Sequence, residues 1–113
     1  MHEMAVTANI LDMVLAETAR AGASRVTAIT LVIGELSSII DESVQMYFDL
    51  LSEQTPAAGA TLVFTRIPAT LQCSACGQSF AKHGSQFACP HCGGPSRLTG
   101  AGQEFYIDSI EVE

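Results

Sequence analysis

Positive charge is scarce in this chain. Five basic residues stand against twelve acids, and the formal net charge is -7. The five are Arg20, Arg25, Arg66, Lys82 and Arg97, and they are scattered rather than clustered. So acidic a surface repels a phosphate backbone, and no nucleic-acid partner is expected. Long apolar runs are also missing. None approaches the roughly 18 residues that a membrane-spanning helix needs, so no membrane partner is expected either. The opening Met1-His2-Glu3-Met4 lacks the basic start and apolar stretch of a secretory signal, which makes the cytoplasm the expected location. There is no internal repeat, no Ser-His-Asp order, no Gly-rich phosphate loop and no paired-carboxylate arrangement. Catalysis is therefore not expected, and any nucleotide-driven step falls to a partner.

What is present is enough for one main core in 113 residues, with room for a small second lobe. Met4, Ile10, Leu11, Val14, Leu15 and Ala21 recur at helical spacing, with Thr7 and Thr18 among them; Asn9, Asp12, Ala16 and Arg20 take the other side. Gly22 is a natural stop. Residues 25–33 alternate as a strand, with Ile29, Leu31 and Ile33 on one face and Val26, Ala28 and Val32 on the other. A second helix is expected from about Glu42 to Gln54, with Asp41 as its N-cap and a stripe of Val44, Tyr47, Phe48 and Leu51. Strands follow at residues 61–67 and 104–112, the last with Tyr106, Ile110 and Val112 on one face. The expected class is α+β: two helices on a three-stranded sheet, interrupted by an inserted zinc-ribbon lobe. The expected division is residues 1–69 with 99–113 for the α+β domain and residues 70–98 for the ribbon.

The inserted lobe carries the plainest chemical signal. Cys73-Ser-Ala-Cys76 and Cys89-Pro-His-Cys92 are separated by twelve residues. Each pair sets two sulfurs on one side of a tight turn, and two such turns facing each other make a tetrahedron of thiolates. Structural disulfides suit an oxidising compartment, and a thioredoxin-type pair would need an activating helix after the first thiol. An iron–sulfur cluster is the closest rival, but the paired spacing with small polar neighbours favours zinc(II). Four thiolates fill the coordination shell, so the zinc is structural rather than catalytic, and it adds a net charge of about -2. Phe80, Phe87 and Leu98 are the main apolar side chains of this lobe, too few to fold it alone. Gly100 and Gly102 beyond it offer hinge freedom.

A second metal signal lies at the start. The amine of Met1, the backbone nitrogen of His2 and the Nδ1 of its imidazole can wrap one ion in a five- and a six-membered chelate ring. Another nitrogen or oxygen, with Glu3 a candidate, would complete a plane. Square-planar nitrogen ligation suits nickel(II) or copper(II). Residues alone leave a second reading open, in which His2 is an ordinary surface side chain. His83 and His91 read as exposed side chains, and for Glu35 a turn role and a partner contact are both open.

Several motifs resemble one family along nearly the whole length. They are Met1-His2-Glu3-Met4, Ile33-Gly34-Glu35-Leu36-Ser37, Asp41-Glu42-Ser43, Gly59-Ala60-Thr61-Leu62, the four cysteines, Gly102-Gln103-Glu104-Phe105-Tyr106-Ile107 and Ile110-Glu111-Val112. In this order they are similar to the HypA/HybF family, nickel metallochaperones of hydrogenase maturation. The resemblance implies a nickel site at Met1, His2 and Glu3 and a structural zinc at Cys73, Cys76, Cys89 and Cys92. It also implies delivery of nickel to the large subunit of a [NiFe] hydrogenase together with a GTP-binding nickel-insertion partner. The alternative class is a zinc-ribbon module for nucleic-acid or protein interaction, which the acidity disfavours for nucleic acid.

Overall fold

A computed structural model describes residues 3–82 and 87–113. The elements run α1 (Glu3–Arg20), β1 (Val26–Gly34), α2 (Asp41–Leu51), β2 (Thr61–Ile67), β3 (Thr70–Cys73), β4 (Ser79–Ala81), β5 (Ser96–Leu98) and β6 (Phe105–Val112). They form two compact units. One holds the described residues up to Val32 with Ser38–Thr65 and Tyr106–Glu113; the other holds Ile33–Ser37 and Arg66–Phe105. The fold is α+β, with one sheet ordered β2-β1-β6 and a second ordered β4-β3-β5.

In the first unit, α1 packs against α2. The buried face of α1 is Thr7, Ile10, Leu11, Val14 and Thr18. The two threonines tolerate burial because their hydroxyls donate to carbonyls one turn back, Thr7 to Glu3 at 2.6 Å and Thr18 to Val14 at 2.7 Å. Met4 and Ala21, expected on this face, are exposed instead, because they sit at the helix ends beyond the reach of the core. Val26, Ile29 and Leu31 of β1 and Val44 and Phe48 of α2 are buried as well, as are Ile39, Ala57, Ala60 and Leu62. Burying such side chains stabilises by about 1.5–3 kcal/mol each.

β1 is the central strand. Arg25 and Glu113 exchange backbone hydrogen bonds at 3.1 and 2.9 Å, and Gly34 N–H donates to Glu104 at 2.7 Å, so β6 runs antiparallel to it. On the other side Val26 N–H reaches Pro56 and Glu35 N–H reaches Ile67, which makes β2 follow β1 in the same direction. A parallel pair needs a long crossover, and α2 supplies it. On β6 the more buried positions are Phe105, Ile107 and Ile110, while Tyr106 and Val112 face solvent. The expected Tyr106-Ile110-Val112 face is therefore not kept, because the alternation shifts between Asp108 and Ile110.

The start of α2 also differs from expectation. Ile40 is the N-cap, with no side-chain cap bond, and Asp41 is the first helical residue. The Ile40 carbonyl takes the Ser43 and Val44 N–H groups, both at 3.1 Å. Asp41 and Glu42 then act through charge at the positive helix end rather than through a cap. The helix stops at Leu51, three residues short of the expected end, because the Ser52 carbonyl is engaged by both the N–H and the hydroxyl of Thr55.

Candidate metal centre

The second unit places the four cysteines. β3 pairs antiparallel with β4 on one side (Leu71 opposite Phe80) and with β5 on the other (Leu71 opposite Leu98). Leu71 is fully buried at the middle of this small sheet, whereas Phe87 and Leu98 are each 45% exposed. Little apolar area is left to hold this small sheet closed by itself.

The sulfur cluster lies at one end of this sheet. Cys73 ends β3, and Cys76 lies three residues on in a turn that Gly77 closes by donating its N–H to the Cys73 carbonyl at 3.0 Å. The second turn repeats the first: Gly93 donates to Cys89 at 2.8 Å. Both glycines have positive φ, 79° and 75°, where a Cβ would be strained. Thus a glycine directly after each Cys-x-x-Cys pair has a backbone reason. The four Sγ atoms all lie within 4.8 Å of one another. Cys73 and Cys92 sulfurs are 3.4 Å apart, and Cys76 and Cys89 are 3.8 Å apart. Four sulfurs about 2.3 Å from a central zinc at tetrahedral angles would be about 3.8 Å apart, so the set fits that ion.

The surrounding backbone is built for thiolates. Cys73 sulfur receives N–H groups from Ala75 at 3.3 Å and Cys76 at 3.4 Å, and Cys89 sulfur receives that of His91 at 3.4 Å. The Cys76 and Ala75 amides hold the Cys73 thiol down at about 6. Those of Cys92 and His91 likewise lower Cys89. Cys92 is pushed up to about 12: the Gly94 amide pulls it down, but Cys73 and Cys76 together with burial prevail. Cys76 is raised for the same kind of reason, against the pull of the Gln78 amide. Two sulfurs ionise readily and two resist while their neighbours are negative. A bound divalent cation removes that conflict, and the metal would be held by Cys73, Cys76, Cys89 and Cys92.

The amide donors of Ala75 and His91 are absent from the sequence reading because they are backbone groups; the Cys-x-x-Cys-Gly spacing is their only trace. The His91 residue is exposed. Met1, His2 and His83 lie outside the described residues. Glu3 is the first residue of α1, half-buried in its first turn. Glu35 turns out to be bonded within its own unit, its carboxylate accepting the Ala69 N–H at 2.9 Å.

The family model described as "Hydrogenase/urease nickel incorporation, metallochaperone, hypA" matches residues 1–112. The hydrogenase maturation factor HypA of Caldanaerobacter subterraneus subsp. tengcongensis is 47% identical over the full length of both chains. That of Dehalococcoides mccartyi is 42% identical, covering all of this chain and 95% of the other. Among solved structures, the Ni metallochaperone HypA from Helicobacter pylori superposes with a TM-score of 0.65 at 20% identity, covering 99% of this chain and 97% of that one. A second HypA solution structure gives 0.71 at 21%, covering 100% and 97%. The fold, the four-cysteine cluster and the full-length match agree, and the chain belongs to the HypA family of hydrogenase maturation nickel metallochaperones.

Proposed function

We propose that this protein binds nickel(II) at its N-terminus and delivers it to the large subunit of a [NiFe] hydrogenase, while a structural zinc holds the second unit. The observation that carries the reading is the sulfur cluster within a chain whose family model spans residues 1–112. The nickel ligands are the Met1 amine, the His2 backbone nitrogen and the His2 imidazole, with Glu3 beside them. Binding removes a proton from the His2 amide, so uptake releases acid and acid opposes uptake. The first amides of a helix have no intrahelical acceptor, so an anionic nitrogen there breaks no helical bond. α1 begins at Glu3, next to these ligands.

Zinc and nickel are separated by chemistry. Four thiolates give a closed tetrahedral shell, whereas amine, amide and imidazole give a plane with accessible faces, from which a partner can draw the metal. The protein is a carrier and not an enzyme. Its partners are the hydrogenase large subunit and a GTP-binding nickel-insertion protein, which would supply any nucleotide-linked step, and its place is the cytoplasm. Among the described residues no helix is long and apolar enough to cross a membrane.

Calorimetric titration of nickel into the native protein and into a version extended at its N-terminus tests the assignment. Tight binding is expected only with the free amine. Equal affinity in both proteins would remove the N-terminal site and turn attention to His83 and His91.

A further inference from the structure

An open groove of about 610 Å³ lies in the first unit along α2, lined by Asp41, Glu42, Gln45, Met46, Asp49, Leu62 and Phe64. Its apolar lining is Met46, Leu62 and Phe64, and Leu50 lies beside it on the same helix. Met46 is 51% exposed, and Leu50, one turn further along α2, is 59% exposed. Methionine and leucine one turn apart form a short ridge on which another helix can pack, and methionine adapts its shape to an incoming side chain. β2 is an edge strand of its sheet, so no further strand covers the groove on that side.

The charge along this ridge has one sign. Glu42 and Asp49 are seven residues apart, about 10.5 Å along the helix axis and on nearly the same side. Neither has a cationic partner among the described residues; Asp49 accepts only the neutral Gln45 amide, at 2.9 Å. Among the described residues no lysine or arginine lines the groove. A second copy of this chain is a poor occupant, since it brings the same acids and a net charge of -7.

We infer that the α2 groove docks a basic amphipathic helix of a partner protein, its apolar side chains over Met46, Leu62 and Phe64 and its cations against Glu42 and Asp49. Cations about seven residues apart on that helix match the spacing of the two carboxylates. The groove residues all belong to the first unit and include no proposed metal ligand, so the inference stands or falls independently of nickel delivery.

The test is a titration of the zinc-loaded, isotope-labelled full chain with three synthetic peptides, followed by amide chemical shifts. The first is a 15-residue helix with leucines one turn apart, flanked by lysines seven residues apart. The second replaces the lysines by glutamates, and the third scrambles the first. Saturable shifts confined to α2 and β2 are expected with the lysine peptide alone. The double variant Glu42→Lys, Asp49→Lys should weaken it on the order of tenfold or more, and Met46→Asp should do likewise. Met46 is exposed, so Met46→Asp should keep the unfolding temperature of the parent, whereas Glu42→Lys, at the positive end of α2, should lower it slightly without unfolding the protein. Equal response to lysine and glutamate peptides, shifts centred instead on the exposed Met13 of α1 and Tyr106 of β6, or no saturation would overturn the inference. So would self-association of the free protein that Met46→Asp abolishes, since the groove would then belong to a second copy.

Discussion

The Glu35 carboxylate holds the backbone N–H of Ala69 at 2.9 Å, joining two segments 34 residues apart within the second unit. Around it, Glu35 N–H donates to the Ile67 carbonyl at 2.8 Å and Leu36 N–H to that of Gly102 at 2.6 Å. Gly102 N–H goes to the Glu104 carboxylate at 2.8 Å. Three stretches of chain are thereby tied at one place. Gly102, which the sequence suggests as a hinge, is buried with both its amide and its carbonyl engaged.

Removal of the Glu35 carboxylate should loosen this tie. Ala69 is fully buried, so its N–H loses its acceptor without an easy replacement from water. Glu35→Ala is expected to cost about 1–2 kcal/mol, and Glu35→Gln, which keeps an acceptor oxygen, clearly less. Denaturant unfolding gives the magnitude. Amide exchange at Ala69 gives the place, and an unchanged exchange rate there in Glu35→Ala would refute the role.

Gly34 should be more sensitive still. A Cβ at this position would stand 2.1 Å from both the carbon and the oxygen of Gly102 and 2.6 Å from the Gln103 nitrogen. All three are backbone atoms, so no rotamer change relieves the overlap. Gly34→Ala is expected to destabilise by about 1–3 kcal/mol or more. A thermal midpoint equal to that of the parent would show that the segments can separate freely.

Zinc should stay through purification at one ion per chain and be released by acid. Without metal, the Cys73 thiol sits near 6 against an ordinary value of 9.0. Since this is a lowered value, the stability that Cys73 by itself contributes is present above 9 and is lost as the pH falls through about 6, while the raised Cys92 and Cys76 act in the opposite sense. With zinc bound, four protons compete for the same sulfurs, which steepens the loss. A chromophoric chelator read against pH gives the midpoint. Cys73→Ser and Cys92→Ser should weaken zinc retention and disorder the second unit while the core around Val14 and Phe48 stays folded. Purified protein that carries iron and visible colour would defeat the zinc assignment.

Nickel should depend on both the free Met1 amine and the His2 side chain. His2→Ala, acetylation of the Met1 amine and an N-terminal tag are each expected to abolish tight binding while zinc remains. A tag beyond Glu113 should have no effect. A square-planar nickel(II) complex is diamagnetic, and it should release its metal as pH falls below the imidazole value of about 6.5. A paramagnetic complex would indicate six-coordinate ligation by more oxygens and a different ligand set.

Local chemistry made much of this protein legible from its residues alone. Cysteine spacing identified the sulfur cluster because ligand pairs sit within single turns, and turns are short-range. Periodicity located both helices and β2, since the buried face of an element repeats with its own geometry. The glycines after Cys76 and Cys92 marked the turns for the same reason. Tertiary structure decided the rest. Only the assembled chain shows that Asp41 begins α2 without capping it, that Tyr106 faces solvent, and that Ser52 ends α2 early. Glu35 is the clearest case. Its sequence neighbours allow a turn or a partner contact, and the choice depends on Ala69 and Gly102, residues 34 and 67 positions away that only the folded backbone brings near. Hydrogen bonds to distant backbone groups leave no pattern in side-chain identity, so the sequence carries the cluster plainly and the Glu35 tie hardly at all.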